Sequence, residues 1–195
     1  TARVLIIKKS GGNYKHPNMS IAMFNTQKSL FYNSLIPIRN ILDRITEYQN
    51  IMSDGCIGVH VRRMDRSHFT PPTSMFLAKI RTIIKKITPP NTSKSPKLFV
   101  CSDDTNEIDQ IKSNIDVQII TYSKTAFGRD NIDCIRDAVI EWYLLGSCST
   151  IIYSHSSSFG YEACILNKTT NGYELRSNNK KTENEIRNLP PLIFV

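Results

Sequence analysis

The sequence lacks most of the features that mark membrane, disulfide-bonded and dinucleotide-binding proteins. No apolar run approaches the roughly 18 residues that are needed to span a membrane. The five cysteines form no CxxC pair and are odd in number. Neither a GxGxxG fingerprint nor a GxSxG nucleophile elbow occurs. These absences argue against a membrane span, a disulfide framework, a dinucleotide site and an α/β-hydrolase.

Two further features bear on the cellular compartment. The apolar run at residues 4–7 is too short for a signal peptide and is followed by lysines. Cys56 and Cys101 lie in or beside apolar, strand-like runs, which is typical of buried thiols in a reducing compartment. We therefore expect a cytoplasmic protein, with the Golgi lumen as the alternative if an N-terminal anchor precedes this sequence.

The chain is basic, with a formal net charge of +8 and a pI near 9.3. This excess favours an anionic partner such as a nucleotide or a nucleic acid. The basic residues occur as scattered pairs rather than as one block, and no aromatic-interleaved basic stripe is present. Nucleic acid is therefore not an expected partner, whereas a nucleotide is.

Apolar residues recur with strand and helix periodicity along most of the chain. The predicted strands span residues 3–8, 56–61, 97–101, 117–121 and 149–154. The predicted helices span residues 27–52 with an interruption at Pro37, 73–87, 105–113, 130–145 and 158–166. After residue 167 we expect a polar, irregular chain until residue 192. The alternation favours an α/β fold, with a Rossmann-like parallel sheet and flanking helices.

Polar side chains are concentrated where three of the predicted strands end. The three clusters are residues 60–65, 102–104 and 154–158. In an open parallel sheet, ligands bind at the carboxyl ends of the strands, at the point where the strand order reverses. We therefore expect the three clusters to share one ligand-binding edge.

The first cluster lies within the segment IGVHVRRMDR and suits a diphosphate. Arg62 and Arg63 follow a buried-looking strand, and guanidinium groups bond phosphate oxygens in pairs. Asp65 is placed to orient one of them. The alternative is a solvated ion pair at a strand end, which contributes little to stability.

The other two clusters each have two interpretations. Ser102, Asp103 and Asp104 can cap the following helix, or a carboxylate among them can face the ribose or base of a ligand. The serines of residues 154–158 precede a helix whose free backbone N–H groups suit phosphate. A serine-rich helix cap without a ligand is the alternative.

Glu141 lies in an apolar helical stretch, where a carboxylate is unfavourable unless it has a partner. It can form an ion pair on a solvated helix face, or it can accept the paired N–H donors of a guanine edge. Asp137, one helical turn earlier, can share either role.

Three segments, HVRRMD, VCSDD and AVIEWYLLGSCSTIIYSHSSSFGYEA, resemble the motif regions of the GDP-fucose fucosyltransferase superfamily in order and spacing. The first is similar to the HxRRxD signature of α1,2- and α1,6-fucosyltransferases, and the third is similar to plant xyloglucan-type enzymes. The resemblance covers about residues 56–166. It implies the nucleotide-sugar lobe of a metal-independent, GT-B-type glycosyltransferase.

The resemblance also implies roles for individual residues. Arg62 would bind the β-phosphate and stabilise departing GDP, His60 would contact phosphate, ribose or guanine, and Asp65 would orient the arginines. These three are the expected catalytic residues. The expected donor-binding residues, among which Glu141 would read guanine, are Arg63, Asp103, Asp104, Glu141, Ser157, Ser158 and Phe159. Neither a metal nor a cofactor is expected, since GDP-fucose is a substrate.

The chain also departs from the family pattern. Gly146 and Ser149 occupy positions where such segments usually have Ser and Asp. Only 59 residues precede His60, which we expect to be too few for a full acceptor-binding lobe. We therefore predict a partial or minimal acceptor-side region at residues 1–55 and a GDP-sugar-binding domain at residues 56–195, with a larger multidomain polypeptide as one setting for both.

The sequence thus predicts an inverting glycosyltransferase that moves L-fucose from GDP-fucose to a glycan hydroxyl. Two alternatives stay open. One is the same fold acting on another nucleotide sugar, and the other is a non-catalytic nucleotide- or glycan-binding lobe of a larger protein. The expected partners are a nucleotide sugar and a glycan acceptor.

Overall fold

The computed structural model describes residues 18–52, 55–63, 70–88, 95–124, 131–155, 157–166, 171–177 and 187–188. The predicted strand at residues 3–8 and the predicted catalytic residue Asp65 lie outside the described residues. The other residues predicted to form the site are all described.

Helices and strands alternate through most of the described chain. The helices are α1 (Ile21–Ser34), α2 (Arg39–Met52), α3 (Thr73–Ile87), α4 (Thr105–Asn114), α5 (Ile132–Gly146) and α6 (Ser158–Leu166). The strands are β1 (Ile57–Val61), β2 (Leu98–Ser102), β3 (Ile119–Ile120), β4 (Thr150–Ser154), β5 (Asn171–Leu175) and β6 (Arg187–Asn188). The predicted α/β class and the predicted order of elements between residues 56 and 166 are confirmed.

The strands form one sheet in the order β3-β2-β1-β4-β5-β6. All neighbours pair in parallel except β6, which is antiparallel to β5. From β1 the chain first adds β2 and β3 on one side and then returns to add β4 and β5 on the other. The strand order therefore reverses between β1 and β4, which is where doubly wound sheets bind ligands.

The sheet separates two apolar cores, and the apolar side chains of β1 belong to one of them. Ile57 and Val59 belong to a core that α3 and α4 cover, together with apolar side chains of β2 and β4. On the opposite face, β2 and β4 pack against α2, α5 and α6, and α1 packs on α6. All five β1 residues are buried, as expected for a central parallel strand with helices on both faces.

The predicted interruption at Pro37 is confirmed. Helix α1 ends at Ser34 and α2 begins at Arg39, so the proline lies in the connection between them. Proline has no N–H to donate and disfavours helical geometry in the residue before it. One continuous helix across residues 27–52 is therefore replaced by two, which pack on α6 and α5 respectively.

The prediction of irregular chain after residue 167 is wrong. Residues 171–175 form β5, which pairs in parallel with all five residues of β4. The segment NGYEL contains one aliphatic residue, and Gly172 and Leu175 are its buried members. Periodicity could not reveal this strand, because its stability comes from backbone pairing with β4 and not from its own apolar pattern.

Helix α1 is joined to helix α6 by polar contacts. Tyr32 Oη donates to Glu162 Oε2 at 2.8 Å, and Lys28 Nζ pairs with the other carboxylate oxygen. The side chain of Asn33 donates to the carbonyl of Leu166 at 3.3 Å. Residues of α1 are thus joined to α6, across the predicted domain boundary at residue 55, which itself stays a prediction.

Replacing Gly160 by Ala is expected to destabilise the fold by at least about 1–3 kcal/mol, because extra atoms in a packed core force strain. A Cβ at this position in α6 would lie 2.6 Å from Cγ of Tyr153 and closer still to its Cβ, which cannot rotate away. At Gly58 the nearest atom is a terminal methyl of Leu145, so Gly58→Ala is the milder comparison. Urea unfolding measures both, and a loss below about 0.5 kcal/mol for Gly160→Ala would contradict this packing.

Candidate functional site

Serine hydroxyls hold the carboxyl ends of β2, β1 and β4 together. Ser102 Oγ donates to the carbonyl of Val61 at 2.8 Å. Ser154 Oγ accepts from the backbone N–H of Arg62 at 2.9 Å. Because β1 lies between β2 and β4, these bonds fix the chain that leaves β1 against both of its neighbours. The described members of the three predicted polar clusters therefore lie along one edge of the sheet.

His60 lies in β1, and its buried side chain contacts the start of α6. Its Nδ1 lies 3.2 Å from Ser157 Oγ, and its ring stacks on Phe159 with a centroid distance of 4.9 Å. Ser157 Oγ also accepts from the N–H of Gly160 at 3.3 Å. A hydroxyl can both donate and accept, so Ser157 can bond Nδ1 of His60 in either neutral tautomer of the imidazole.

The imidazole of His60 is neutral near pH 7. Burial lowers its pKa to about 3, and the positive charges of Lys124 and Arg62 act in the same direction. A neutral ring can donate one hydrogen bond to a ligand and adds no charge to the site. Its position is set by Ser157 on one side and Phe159 on the other.

The two adjacent arginines have different surroundings. The backbone of Arg62 is held through its N–H by Ser154 and through its carbonyl by Thr70 Oγ1 at 2.7 Å. The guanidinium of Arg63 instead bonds Glu107 through Nε at 2.7 Å. Its two terminal nitrogens bond the carbonyl of Pro71 at 2.7 Å and Thr73 Oγ1 at 3.2 Å. The Arg63 side chain therefore joins the end of β1 to α3 and α4, and donor binding by Arg63 stays a prediction.

The two carboxylates that follow β2 also differ. Asp104 caps α4, since its Oδ1 accepts from the N–H of Asn106 at 2.9 Å. Asp103 Oδ1 accepts from the backbone N–H of Arg63 at 2.7 Å and so faces the chain that leaves β1. Capping is thus the observed role of Asp104, while Asp103 lies on the side of the predicted ligand edge.

Helix α6 begins at the strand-order reversal with free donors. The backbone N–H groups of Ser158 and Phe159 have no acceptor within the described parts of the chain, and the Ser158 hydroxyl is exposed. The first N–H groups of a helix and its dipole together attract anions. This turn lies beside His60, to which Ser157 and Phe159 connect it.

Glu141 lies beneath this edge in an ion pair, one of its two expected roles, but the pair is buried and not on a solvated helix face. Its Oε2 is 2.9 Å from Lys124 Nζ, and both side chains are at most 12% exposed. The same ammonium donates to the carbonyl of Ser102 at 2.7 Å. Burial raises the pKa of Glu141 to about 7, and the charge of Lys124 opposes this rise. Lys124 thus links α5 to the end of β2 and acts electrostatically on His60.

Asp137 has a partner of its own on the same helix. Tyr122, just after β3, donates its hydroxyl to Asp137 Oδ1 at 3.0 Å, and both residues are buried. Tyr122 and Lys124 lie in one short segment, and each is the partner of a carboxylate on α5. The sequence contained a signal, since two acidic residues in an apolar helix need partners, but nothing local identified them.

Replacing His60 and Glu141 one at a time is expected to change the pH dependence of stability in opposite directions. The pKa of His60 is about 3 in the folded chain and near 6.5 when unfolded, so its contribution falls as pH falls through this interval. The pKa of Glu141 is about 7 when folded and near 4.5 when unfolded, so its contribution falls as pH rises between these values.

Between about pH 6.5 and 4.5, Glu141→Gln should therefore lose stability relative to wild type as pH falls, and His60→Gln should gain it. Urea unfolding at several pH values across this window measures both differences. Parallel stability curves for the wild type and the two variants would contradict the assigned pKa directions.

Two features of the described residues bear on other classes of function. No helix among them is both long and apolar enough to cross a membrane. No three His, Cys, Asp or Glu side chains are grouped there as a metal-binding cluster would be. The independence from metal that the resemblance implies stays a prediction.

Comparison with known proteins gives similarity at the level of structure. No protein-family model matches the sequence, and no curated protein matches it. The NodZ α-1,6-fucosyltransferase co-crystallised with GDP is 25% identical, with a TM-score of 0.51 over 69% of this chain and 43% of that enzyme. The same enzyme soaked with GDP-fucose is 24% identical, with a TM-score of 0.54 over 74% of this chain and 47% of that one.

A plant protein shows the same fold. A variant of Arabidopsis thaliana FUT1 in complex with GDP is 20% identical, with a TM-score of 0.53 over 80% of this chain and 38% of that protein. The chain thus spans less than half the length of each of these solved proteins. The parallel sheet and flanking helices of this chain are therefore those of solved fucosyltransferases, one bacterial-type and one plant, at low sequence identity.

Proposed function

We propose that this chain is the donor-binding part of an inverting glycosyltransferase that moves L-fucose from GDP-fucose to a glycan hydroxyl. One observation carries the proposal: Arg62, His60 and the first turn of α6 meet where the strand order reverses, and the N–H groups of Ser158 and Phe159 in that turn have no acceptor among the described residues. The fold similarity to fucosyltransferases solved with GDP or GDP-fucose supports it. The GT-B architecture and the independence from metal are parts of the same proposal.

The diphosphate would lie between the end of β1 and the start of α6. The free N–H groups of Ser158 and Phe159 suit one phosphate, and the guanidinium of Arg62 suits the other. The N–H groups and the guanidinium would place positive charge beside the diphosphate, where negative charge develops as GDP leaves. Such preorganised charge lowers the barrier because it stabilises the transition state more than the bound substrate.

The transfer step follows from this placement. The acceptor oxygen attacks the anomeric carbon of fucose from the face opposite GDP, and the bond from that carbon to the β-phosphate oxygen breaks. GDP carries away the electron pair, and the proton of the acceptor hydroxyl passes to solvent water. His60, held neutral, would hydrogen-bond the donor, and Asp65 would orient the arginines as the resemblance implies.

Recognition of guanine is the part of the proposal that carboxylates would supply. Asp103 and Asp104 would border the donor pocket after β2. Glu141 would read the guanine edge through Oε1, because Oε2 is bonded to Lys124. A buried carboxylate in this position discriminates against bases that lack paired N–H donors, since it would then lose a hydrogen bond.

The test is nucleotide release from sugar nucleotides. The chain is incubated with GDP-fucose, GDP-mannose or UDP-glucose, with and without a mixture of oligosaccharides, and free nucleotide is quantified by chromatography. We expect GDP release from GDP-fucose to exceed release from the other two by at least about tenfold, a difference of about 1.4 kcal/mol. Faster release from UDP-glucose, or equal release from all three, would contradict the proposal.

The second candidate function is a nucleotide-binding lobe that is inactive without a separate acceptor lobe. It is favoured by one finding, that the chain spans 43% and 47% of the two NodZ structures. GDP binding without any release of GDP from GDP-fucose would identify this candidate.

A further inference from the structure

A cleft of about 420 Å³ lies between α1, α5 and α6, beside the first turn of α6. Its walls are mostly apolar and include Ile135, Trp142 and Phe159. The residues that add polar groups to the walls are Tyr32, Ser158 and Glu162. This volume and this mixture of aromatic and few polar groups are typical of small-molecule sites.

The aromatic side chains of the cleft suit the apolar face of a sugar. Trp142 and Tyr32 pack edge to face, with a centroid distance of 5.1 Å. The indole N–H of Trp142 has no hydrogen-bond partner among the residues that the structure describes. An aromatic ring offers a large apolar surface, and a free N–H at its edge can bond a hydroxyl.

The charge of the cleft favours a neutral ligand. Among the described residues that line it, Glu162 is the one acidic residue. This carboxylate is paired with Lys28 and accepts the hydroxyl of Tyr32 at 2.8 Å. An anionic ligand would meet a carboxylate, and a cationic ligand would compete with Lys28. The lone pairs that remain on the carboxylate can still accept hydroxyl donors.

The cleft shares Ser158 and Phe159 with the site proposed for the diphosphate. Phe159 stacks on His60 and also lines the cleft. Ser158, whose backbone N–H is free, lies at the border of the two. A transfer reaction requires the acceptor hydroxyl beside the anomeric carbon of the donor, so the acceptor sugar must bind next to the diphosphate site.

We propose that this cleft is a subsite for a neutral acceptor glycan. The proposal rests on the function proposed above, and it assigns to α1, α5 and α6 a part in acceptor binding. Trp142 and Phe159 contact the sugar ring, and Ser158, Glu162 and the indole N–H bond its hydroxyls. Occupation by a glycan also explains why aromatic surface stays accessible next to a polar edge.

The sequence contains a single tryptophan, and it lines this cleft, which makes a direct test possible. Intrinsic fluorescence of Trp142 is titrated with lactose, cellotetraose and diacetylchitobiose, and GDP binding is measured by calorimetry on the same preparation. We expect a saturable fluorescence change with at least one of these sugars. The expected Kd is millimolar, which corresponds to a binding free energy of about −4 kcal/mol.

Two matched variants on α5 localise the response. Ile135→Arg places a charge in the cleft, whereas Ile132→Arg changes a residue outside its walls. The two isoleucines are 49% and 58% exposed, so neither change disturbs a core. Ile135→Arg should weaken the sugar response at least tenfold, and Ile132→Arg should retain it. GDP should bind equally to both variants.

Three results would overturn the proposal. The first is the absence of any saturable sugar response from a chain that binds GDP. The second is an unchanged response in Ile135→Arg. The third is a loss of the sugar response in Ile132→Arg as large as in Ile135→Arg, which would show that the response does not come from the cleft. Failure of GDP to bind is a different outcome, because it contradicts the proposed function.

Discussion

Replacing Arg62 by Ala is expected to lower kcat/KM for GDP-fucose by about 10²- to 10³-fold, the usual loss when one preorganised charge donor is removed. The fold should keep its stability within about 1 kcal/mol. The backbone N–H and carbonyl of Arg62 are both hydrogen-bonded, and an alanine retains these two bonds. Steady-state release of GDP and urea unfolding of the same preparation measure the two effects.

Two further variants control this result. Arg62→Lys keeps the charge but not the planar fork, so an intermediate loss is expected. Arg39→Ala removes an 86% exposed arginine that pairs with Asp43 on α2, and it should change neither activity nor stability. If Arg62→Ala kept activity within about threefold of wild type, Arg62 would have no part in the proposed mechanism. Such a change corresponds to less than about 1 kcal/mol of transition-state stabilisation.

Replacing Arg63 by Ala is expected to destabilise the fold by about 3–5 kcal/mol, because Glu107 would stay buried without its partner. The two side chains are 15% and 9% exposed. The loss includes the bonds from the guanidinium to Pro71 and Thr73. The unfolding temperature should therefore fall by about 10 °C or more, as measured by calorimetry or circular dichroism.

A double variant separates the ion pair from the rest of this effect. Arg63→Met combined with Glu107→Met should recover part of the lost stability, since no unpaired charge then stays buried. Arg39→Ala again serves as the exposed control. If Arg63→Ala kept its stability and lost GDP affinity, the donor-binding role implied by the resemblance would replace the structural one.

Local patterns predicted much of this fold because the central strands and the helices carry their own signals. The apolar run around Val59 and the proline at position 37 act through neighbours in the sequence, by burial and by steric restriction. Strand β5 has no comparable signal, since a segment with one aliphatic residue becomes a strand only when β4 is beside it. Pairing with β4 therefore determines strand β5, which the periodicity of the sequence did not reveal.

The candidate site shows the same division. The sequence places His60, Arg62 and the serines of residues 154–158 at strand ends, and strand order alone brings them together. It does not reveal that Arg63 bonds Glu107 or that Lys124 pairs with Glu141. These partners are separated by 44 and 17 residues, and only the folded chain shows which of many possible partners is near.

The most direct test of the account is a calorimetric titration of the chain with GDP and with UDP. We expect micromolar binding of GDP, at least about tenfold weaker binding of UDP, and a marked loss of GDP affinity in Arg62→Ala. Equal affinity for both nucleotides would contradict the proposed recognition of guanine by Glu141. Absence of binding to either one, by a folded chain, would contradict a nucleotide site where β1 and α6 meet.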